Sequence, residues 1–419
     1  MQATIILFAS PVFFALIAVE MIVAWRRQRH TYRLNDAINS LSLGVISQIS
    51  AVFFKVLSIG IYAWVLKHFA LLTLPSDAWW VWIAGLFAYD FLYYWLHRMG
   101  HHVNVLWAAH VVHHQSEDYN LTTALRQTST GSLLGWIFYT PLAILGLPVE
   151  VFVAIALIDL LYQFWIHTQQ IGKLGWFDRV FVSPSNHRVH HAVNDLYLDK
   201  NFGGILILWD RLFGTYADEL DEHPVVYGTR KPLQSWNPFW ANVEVYHAVA
   251  MDALRTRRWR DKLKIWFMPP GWLPEDLASK RPASPFQLHH PLYNPALSTG
   301  LLWYCLAQFI VTLNISTHFL FVEPTASSTA IIAYALWLVA GFWIVGGLLE
   351  QNKKFIFLES LRLLVTACAV VVNPVWFGTV RLPLWGQVGI IGACLVSLFV
   401  LGILVKNRED SVFNNTNRG

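Results

Sequence analysis

The chain has 419 residues, of which 55% are hydrophobic and only 13% charged. Soluble domains carry about a quarter charged residues, so this composition, with a mean hydropathy of +0.43, excludes an ordinary soluble domain and indicates a polytopic membrane protein. A formal net charge of +4 is too small to point to nucleic acid, and Cys305, Cys368 and Cys394, all in apolar runs, form neither a disulfide framework nor a zinc-finger spacing.

The first apolar run, about Ile5 to Trp25, is long enough to span a bilayer. It lacks the basic n-region and small-residue cleavage pattern of a signal peptide. Arg26, Arg27, Arg29 and Arg33 follow at once and place its C-terminal end in the cytoplasm. Glu20 is costly in lipid and is expected to face other helices. A second run covers about Ile38 to Leu66 and a third about Trp79 to Leu96. The third ends in Tyr89-Asp90-Phe91-Leu92-Tyr93-Tyr94-Trp95, a composition suited to the headgroup layer. Three spans from an external N-terminus return the chain to the cytoplasm at His97.

There the polarity changes. His97, His101, His102, His110, His113 and His114 fall within one stretch of 18 residues, and His187, His190 and His191 follow about seventy residues later. Spacings of three and four place side chains on one helical face. His97 and His101 are therefore expected to point together, as are the His110, His113, His114 and His187, His190, His191 trios. Imidazole is the commonest protein metal ligand. Three faces of this kind converge on a centre with too many ligands for one ordinary ion. Apolar segments at about Gly131 to Leu147 and Val149 to Ile166, bent at Pro148, read as a hairpin that dips into the membrane and returns with the lone His167 on the same side. A histidine at that place is as often structural as ligating.

Residues from about Lys173 to Asn294 are the most polar part of the chain. Within them Arg255, Arg257, Arg258, Arg260, Lys262 and Lys264 are interleaved with Trp259 and followed by Trp266 and Trp272. Cations mixed with interfacial aromatics read as a surface segment resting on anionic headgroups. Four further spans follow, about Pro295 to Phe321, Ala330 to Leu349, Phe355 to Phe377 and Leu384 to Val405. Lys353 and Lys354, and Lys406 and Arg408 after the last span, then fall in the cytoplasm. The expectation is an all-α polytopic protein of about nine transmembrane or membrane-embedded helices. Its N-terminus is outside, its C-terminus is cytoplasmic and its histidine-rich metal-binding region faces the cytoplasm. Residues 1–294 form a catalytic domain and residues 295–419 a four-helix transmembrane region.

Residue chemistry leaves the metal open among iron, copper, nickel and zinc. The pattern His-x3-His, His-x2-His-His, His-x2-His-His among membrane spans resembles the fatty acid hydroxylase and sterol desaturase superfamily. The longer stretches Asp90 to Met99, Ser116 to Gln127, Tyr162 to Thr168, His187 to His191 and Asp199 to Thr215 are similar to its alkylglycerol monooxygenase subfamily, as are Val226-Tyr-Gly, Pro270-Gly-Trp and Glu359-Ser-Leu-Arg362. The resemblance implies a non-haem centre of two iron ions, held by His97, His101, His110, His113, His114, His187, His190 and His191, with His167. It also implies dioxygen as co-substrate, a lipid substrate, and tetrahydrobiopterin as electron donor. The reaction would hydroxylate the carbon beside an ether oxygen, and the hemiacetal would collapse to a fatty aldehyde and a glycerol derivative. An acidic residue often follows the second histidine in this superfamily; here it is His102. Asp90, Glu117, Asp118, Asp159 and Asp199 are candidates to tune the site from behind the ligands. The same centre also suits a sterol, carotenoid or acyl-lipid hydroxylase or desaturase. A metal or proton transporter would place its histidines within spans rather than at their ends.

Overall fold

The computed structural model describes residues 2–281 and 286–416, with the side chains of residues 2–8, 55–56 and 407–416 outside that description. Arg408, one of the basic residues expected to lie in the cytoplasm after the last span, therefore lies outside the described side chains. The chain is built from helices. α1 (Gln2–Arg26) is mostly lipid-facing, and Ile17, Glu20 and Ala24, spaced three and four apart, form its buried stripe. α2 (Leu34–Lys55) turns a polar face inward, with Asn35, Asp36, Asn39 and Ser40 all buried. The expected single second span is interrupted. A π-helical turn, Val56–Gly60, separates α2 from α3 (Ile61–Phe69).

α4 (Trp79–His102) and α5 (Asn104–His114) are divided only by the extended residue Val103. α6 (Leu121–Ala124) is a single turn whose cap, Asn120, accepts from the Thr122 amide at 2.9 Å. α7 (Ser132–Leu145) and α8 (Val149–Trp165) form the expected hairpin. Gly146 ends α7 at φ +93°, and a Cβ there would lie 2.0 Å from the Leu72 carbonyl oxygen, so only glycine fits. α9 (Pro184–His190) starts from a capping box in which Ser183 and Asn186 exchange bonds. The short α10 (Leu208–Leu212), α11 (Pro238–Arg255), α12 (Trp259–Lys264) and α13 (Glu275–Ala278) occupy the polar stretch. α14 (Thr299–Val322), α15 (Ser328–Leu349), α16 (Lys353–Val372) and α17 (Leu384–Thr416) close the chain, with a two-residue antiparallel pairing of Val375–Trp376 with Val380–Arg381 between the last two.

The all-α membrane architecture is as expected, with a smaller number of full spans. Among the described residues six helices are long and apolar enough to cross a membrane: Ala9–Arg26, Leu34–Phe54, Thr299–Thr325, Ser328–Leu349, Lys353–Val372 and Leu384–Lys406. At about 1.5 Å per residue, α7 and α8 fall short of a hydrocarbon core of about 30 Å. α4 has the length but is more polar, carrying Asp90 and the histidines at its end.

The chain divides into two compact units, Met1–Gln234 with Phe239–Leu292, and Ser235–Pro238 with Tyr293–Gly419. In the first, an apolar core joins α3, α4, α7 and α8 through Tyr62, Val81, Tyr89, Leu142 and Ile155. In the second, a cluster of buried polar groups pairs internally, as a hydrocarbon surround requires. Glu359 pairs with Arg362 at 2.8 Å and accepts from the Tyr304 hydroxyl at 3.0 Å. Arg362 also donates to Gln308 at 3.0 Å, and Gln308 to Ser397 at 2.9 Å, so one network ties α14, α16 and α17 together.

Candidate metal centre

Four elements of the first unit deliver nine imidazoles. α4 ends with His97 and His101, and α5 ends with His110, His113 and His114. His167 follows α8 directly, while His187 and His190 lie on α9 with His191 as its cap. They form two groups: His97, His101, His110, His114 and His190, and separately His113, His167, His187 and His191, each with its ligand atoms within 4.8 Å of one another. His114 and His191 stack at 4.3 Å between ring centroids, so the groups adjoin.

The expected trios do not stay together, and helix geometry explains the split. The pairs spaced by four (His97 with His101, His110 with His114, His187 with His191) each serve one group. The residue at the third position, His113 or His190, crosses to the other. Adjacent helical residues point about 100° apart, so each His-His pair fans onto two centres. Each crossing imidazole stitches the two groups together.

Within each group the Nε2 atoms converge. His110 Nε2 lies 3.0 Å from those of His97 and His114, and His114 lies 3.2 Å from His190. In the second group His167 Nε2 is 3.1 Å from His113 and 3.0 Å from His187, which is 3.2 Å from His191. These contacts are not ordinary hydrogen bonds. Nδ1 of His97, His113, His167 and His190 meets the carbonyl oxygens of Phe202, Arg126, Gln163 and Lys200 at 2.7–3.0 Å. A carbonyl only accepts, so each Nδ1 carries the hydrogen and each Nε2 presents a lone pair. Lone pairs of His113 and His167 therefore face each other, which is repulsive unless a cation lies between them. With a metal–nitrogen bond of about 2.1 Å, ligands at a right angle stand about 3.0 Å apart and tetrahedral ones about 3.4 Å. The observed separations of 3.0–3.2 Å fall at or just above the right-angled spacing, close enough for one cation to be shared.

Electrostatics agree. Burial pushes His113 down to about 4. It holds His110, His114, His167, His187, His190 and His191 well below their ordinary value, with neighbouring imidazoles adding to the effect. Neutral imidazole is the ligating form.

The supporting groups differ between the two sets. A single loop, Asp199 to Gly204, serves the first. Asp199 approaches His101 Nδ1 at 3.4 Å, Lys200 accepts from His190, and Phe202 accepts from His97. Asp199 and Asn201 hold left-handed backbone, φ +57° and +56°, a conformation that persists only where the surroundings enforce it. Two buried carboxylates enforce it here. Asp210 accepts from the amides of Phe202 and Gly203 at 2.8 Å, and Asp90 from those of Ile205 and Leu206 at 2.7 and 3.1 Å. A Cβ on Gly204 would sit 2.6 Å from Asp159 Oδ1 and 3.0 Å from Asp90 Oδ1, so glycine suits the passage between Asp159 and Asp90.

The second set is held by residues earlier in the chain than that loop. Arg126, 1% exposed, supplies the carbonyl for His113 and donates to the Val112 carbonyl at 2.7 Å and to Asn39 at 2.7 Å. Arg188 locks α9 to the segment after His167, donating to Glu219 at 2.7 and 2.8 Å and to the Thr168 carbonyl at 2.9 Å.

Of the five acids named from sequence, only Asp199 approaches an imidazole of the centre. Asp90 braces a loop, Asp159 accepts from Gln163 at 2.8 Å, and Glu117 and Asp118 pair with Arg33 at 3.8 and 3.0 Å. His102, His223, His289 and His290 lie outside both groups. Sequence reasoning missed Arg126 and Asp210. Both lie in stretches that carried the family resemblance, and that was their only signal.

The fatty acid hydroxylase family profile matches residues 82–215, the stretch that holds all nine histidines of the two groups. The chain is 35% identical to an alkylglycerol monooxygenase of Xenopus tropicalis over 361 residues, 85% of this chain and 80% of the relative. It is 36% identical to that of Homo sapiens over 366 residues, with the same coverage. Over 142 residues it is 28% identical to an ornithine lipid hydroxylase of Rhizobium tropici, 32% of this chain and 41% of that one. No solved structure matches. Similarity of this depth along most of both chains makes the protein a membrane-bound lipid monooxygenase of the alkylglycerol monooxygenase family.

Proposed function

We propose that the chain is a di-iron monooxygenase that opens the ether bond of alkylglycerols, with dioxygen as co-substrate and reduced tetrahydrobiopterin as the two-electron donor. One oxygen atom enters the carbon beside the ether oxygen, and the other leaves as water. The hemiacetal then separates into a fatty aldehyde and a glycerol derivative. The observation that carries the reading is the pair of adjoining imidazole sets whose Nε2 lone pairs converge at 3.0–3.2 Å.

His97, His101, His110, His114 and His190 would hold one ion, and His113, His167, His187 and His191 the other. When bound, the two irons supply the activation of dioxygen. The chain's own groups do the rest. The carbonyls of Phe202, Lys200, Arg126 and Gln163 fix the rings and their tautomers. Burial keeps bulk water from the reacting carbon. The first group would offer its ion five imidazoles and the second group four.

The site belongs to the cytoplasmic face in this reading. Arg27 and Arg29, at the basic end of α1, donate to the carbonyls of Gln170 and Gln169 at 2.6 and 2.7 Å. The charge cluster that orients the first span and the loop carrying His167 therefore share a side. The basic segment joins them. Asn104 and Val105, at the start of α5, donate their amides to the Met268 and Trp266 carbonyls at 2.9 Å, while Trp259 and Phe267 remain exposed for the headgroup layer.

The test is purified protein given an alkylglycerol, oxygen and reduced tetrahydropterin, with aldehyde as the readout. Aldehyde is the expected product. Its absence, with a hydroxylated or desaturated product from a sterol or acyl lipid, keeps the centre and moves the function to that alternative.

A further inference from the structure

α1 would be an ordinary lipid-facing helix but for Glu20. Val12, Val19, Ile22 and Trp25 are 51–78% exposed, whereas Glu20 is 5% exposed on the inward stripe. A carboxylate there is expensive and calls for a reason. Three donors converge on it. The Tyr32 hydroxyl and the Leu121 amide donate to Oε2, the amide at 2.8 Å, and the Thr168 hydroxyl donates to Oε1. A carboxylate accepts from all three donors; an amide accepts through one atom only, so at least one of these bonds would be lost or reversed.

Two of those donors lead to the four-histidine set and neither leads to the five-histidine set. Thr168 follows His167 in the chain. Leu121 opens α6, the turn that runs on to Arg126, whose carbonyl receives His113 Nδ1 at 2.9 Å. His113 and His167 face each other at 3.1 Å between Nε2 atoms. They arrive from α5 and α8, separate elements that α1 bridges through one carboxylate. The five-histidine set has its own brace in the Asp199 to Gly204 loop.

We propose that Glu20 is a positioning residue for one metal of the pair: from the first membrane span it holds the His113 and His167 supports in register, and so selectively secures the ion of the four-histidine set. The inference rests on the two-metal reading.

The experiment follows release of metal from the purified, metal-loaded protein into excess chelator. Glu20→Gln is expected to speed release of one ion of the two by about 10-fold or more, the size of effect that groups supporting a ligand exert. The other ion keeps its native rate. Thr168→Val, which leaves α1 intact, is expected to act in the same direction. Tyr32→Phe removes the one donor that leads to no histidine and is expected to release both ions at native rates. In a His187→Ala background, already without the second ion, Glu20→Gln is expected to leave the remaining ion unaffected. Native release of both ions in Glu20→Gln and Thr168→Val, or equal acceleration of both, overturns the proposal. Fewer than two metals in the unmodified protein would instead contradict the two-metal reading itself.

Discussion

The two imidazole sets are neighbours built on different plans. The five-histidine set takes two pairs spaced by four from α4 and α5, adds His190, and is braced by one local loop, Asp199 to Gly204. The four-histidine set takes only one such pair, His187 and His191, and completes itself with His113 and His167. Its supports, Arg126, Gln163 and Glu20, come from α1, α8 and the turn after α6. One set is thus rich in ligands and braced by a single loop, the other has fewer ligands and is braced from several separate elements. Losing one imidazole removes a fifth of the first set and a quarter of the second, so the second is the more fragile.

The sharpest way to break that comparison is His187→Ala, which leaves the second set three nitrogens and removes half of its helical chelate. Turnover is expected to fall more than about 1000-fold, or about 4 kcal/mol, and bound metal to drop from two per chain to one. His190→Ala is expected to be milder. The first set keeps four nitrogens, so both metals stay at saturating iron while turnover falls about 10–100-fold, the range for a disturbed metal surround. Equal metal loss in the two variants would show that ligand number does not govern the difference. Asp199→Asn, read by chelator release, is expected to weaken only the ion of the first set, by about 10-fold.

Protons probe the metal-free centre without mutation. Burial holds His113 at about 4 in the fold against 6.5 ordinarily. In metal-free protein this lowered value means the unfolded chain takes up a proton first as the pH falls. Its contribution is complete above pH 6.5 and lost progressively between 6.5 and 4, worth about 3 kcal/mol for this group. Thermal unfolding of chelator-treated protein at pH 7 and pH 5 checks it, with the lower midpoint expected at pH 5. The smallest effect belongs to His102→Ala. His102 stands outside both sets, so two metals are expected to remain.

Much of the site was legible because helix periodicity alone brings His97 to His101 and His187 to His191. The membrane class followed from composition, and among the described residues six helices are long and apolar enough to cross a membrane. The division of each trio was not read, although the 100° step between His113 and His114 contains it. Expecting one face per motif concealed it. The length of the second span was misjudged because a π-turn inside an apolar run leaves the apolar pattern unbroken. Arg126 and Asp210 were invisible as supports. A buried arginine offering its own main-chain carbonyl to a histidine has no periodicity, and a carboxylate binding two loop amides looks in sequence like any surface acid. Glu20 was legible as an inward-facing residue, but its partners Thr168 and Leu121 lie more than 100 positions away.

The central claim is that two distinct metals are held, one by each set. Elemental analysis of unmodified protein and of His187→Ala, both made with ample iron and both folded, tests it most directly. Two irons per chain falling to one is the predicted result. One metal in both proteins, or two in both, would contradict it.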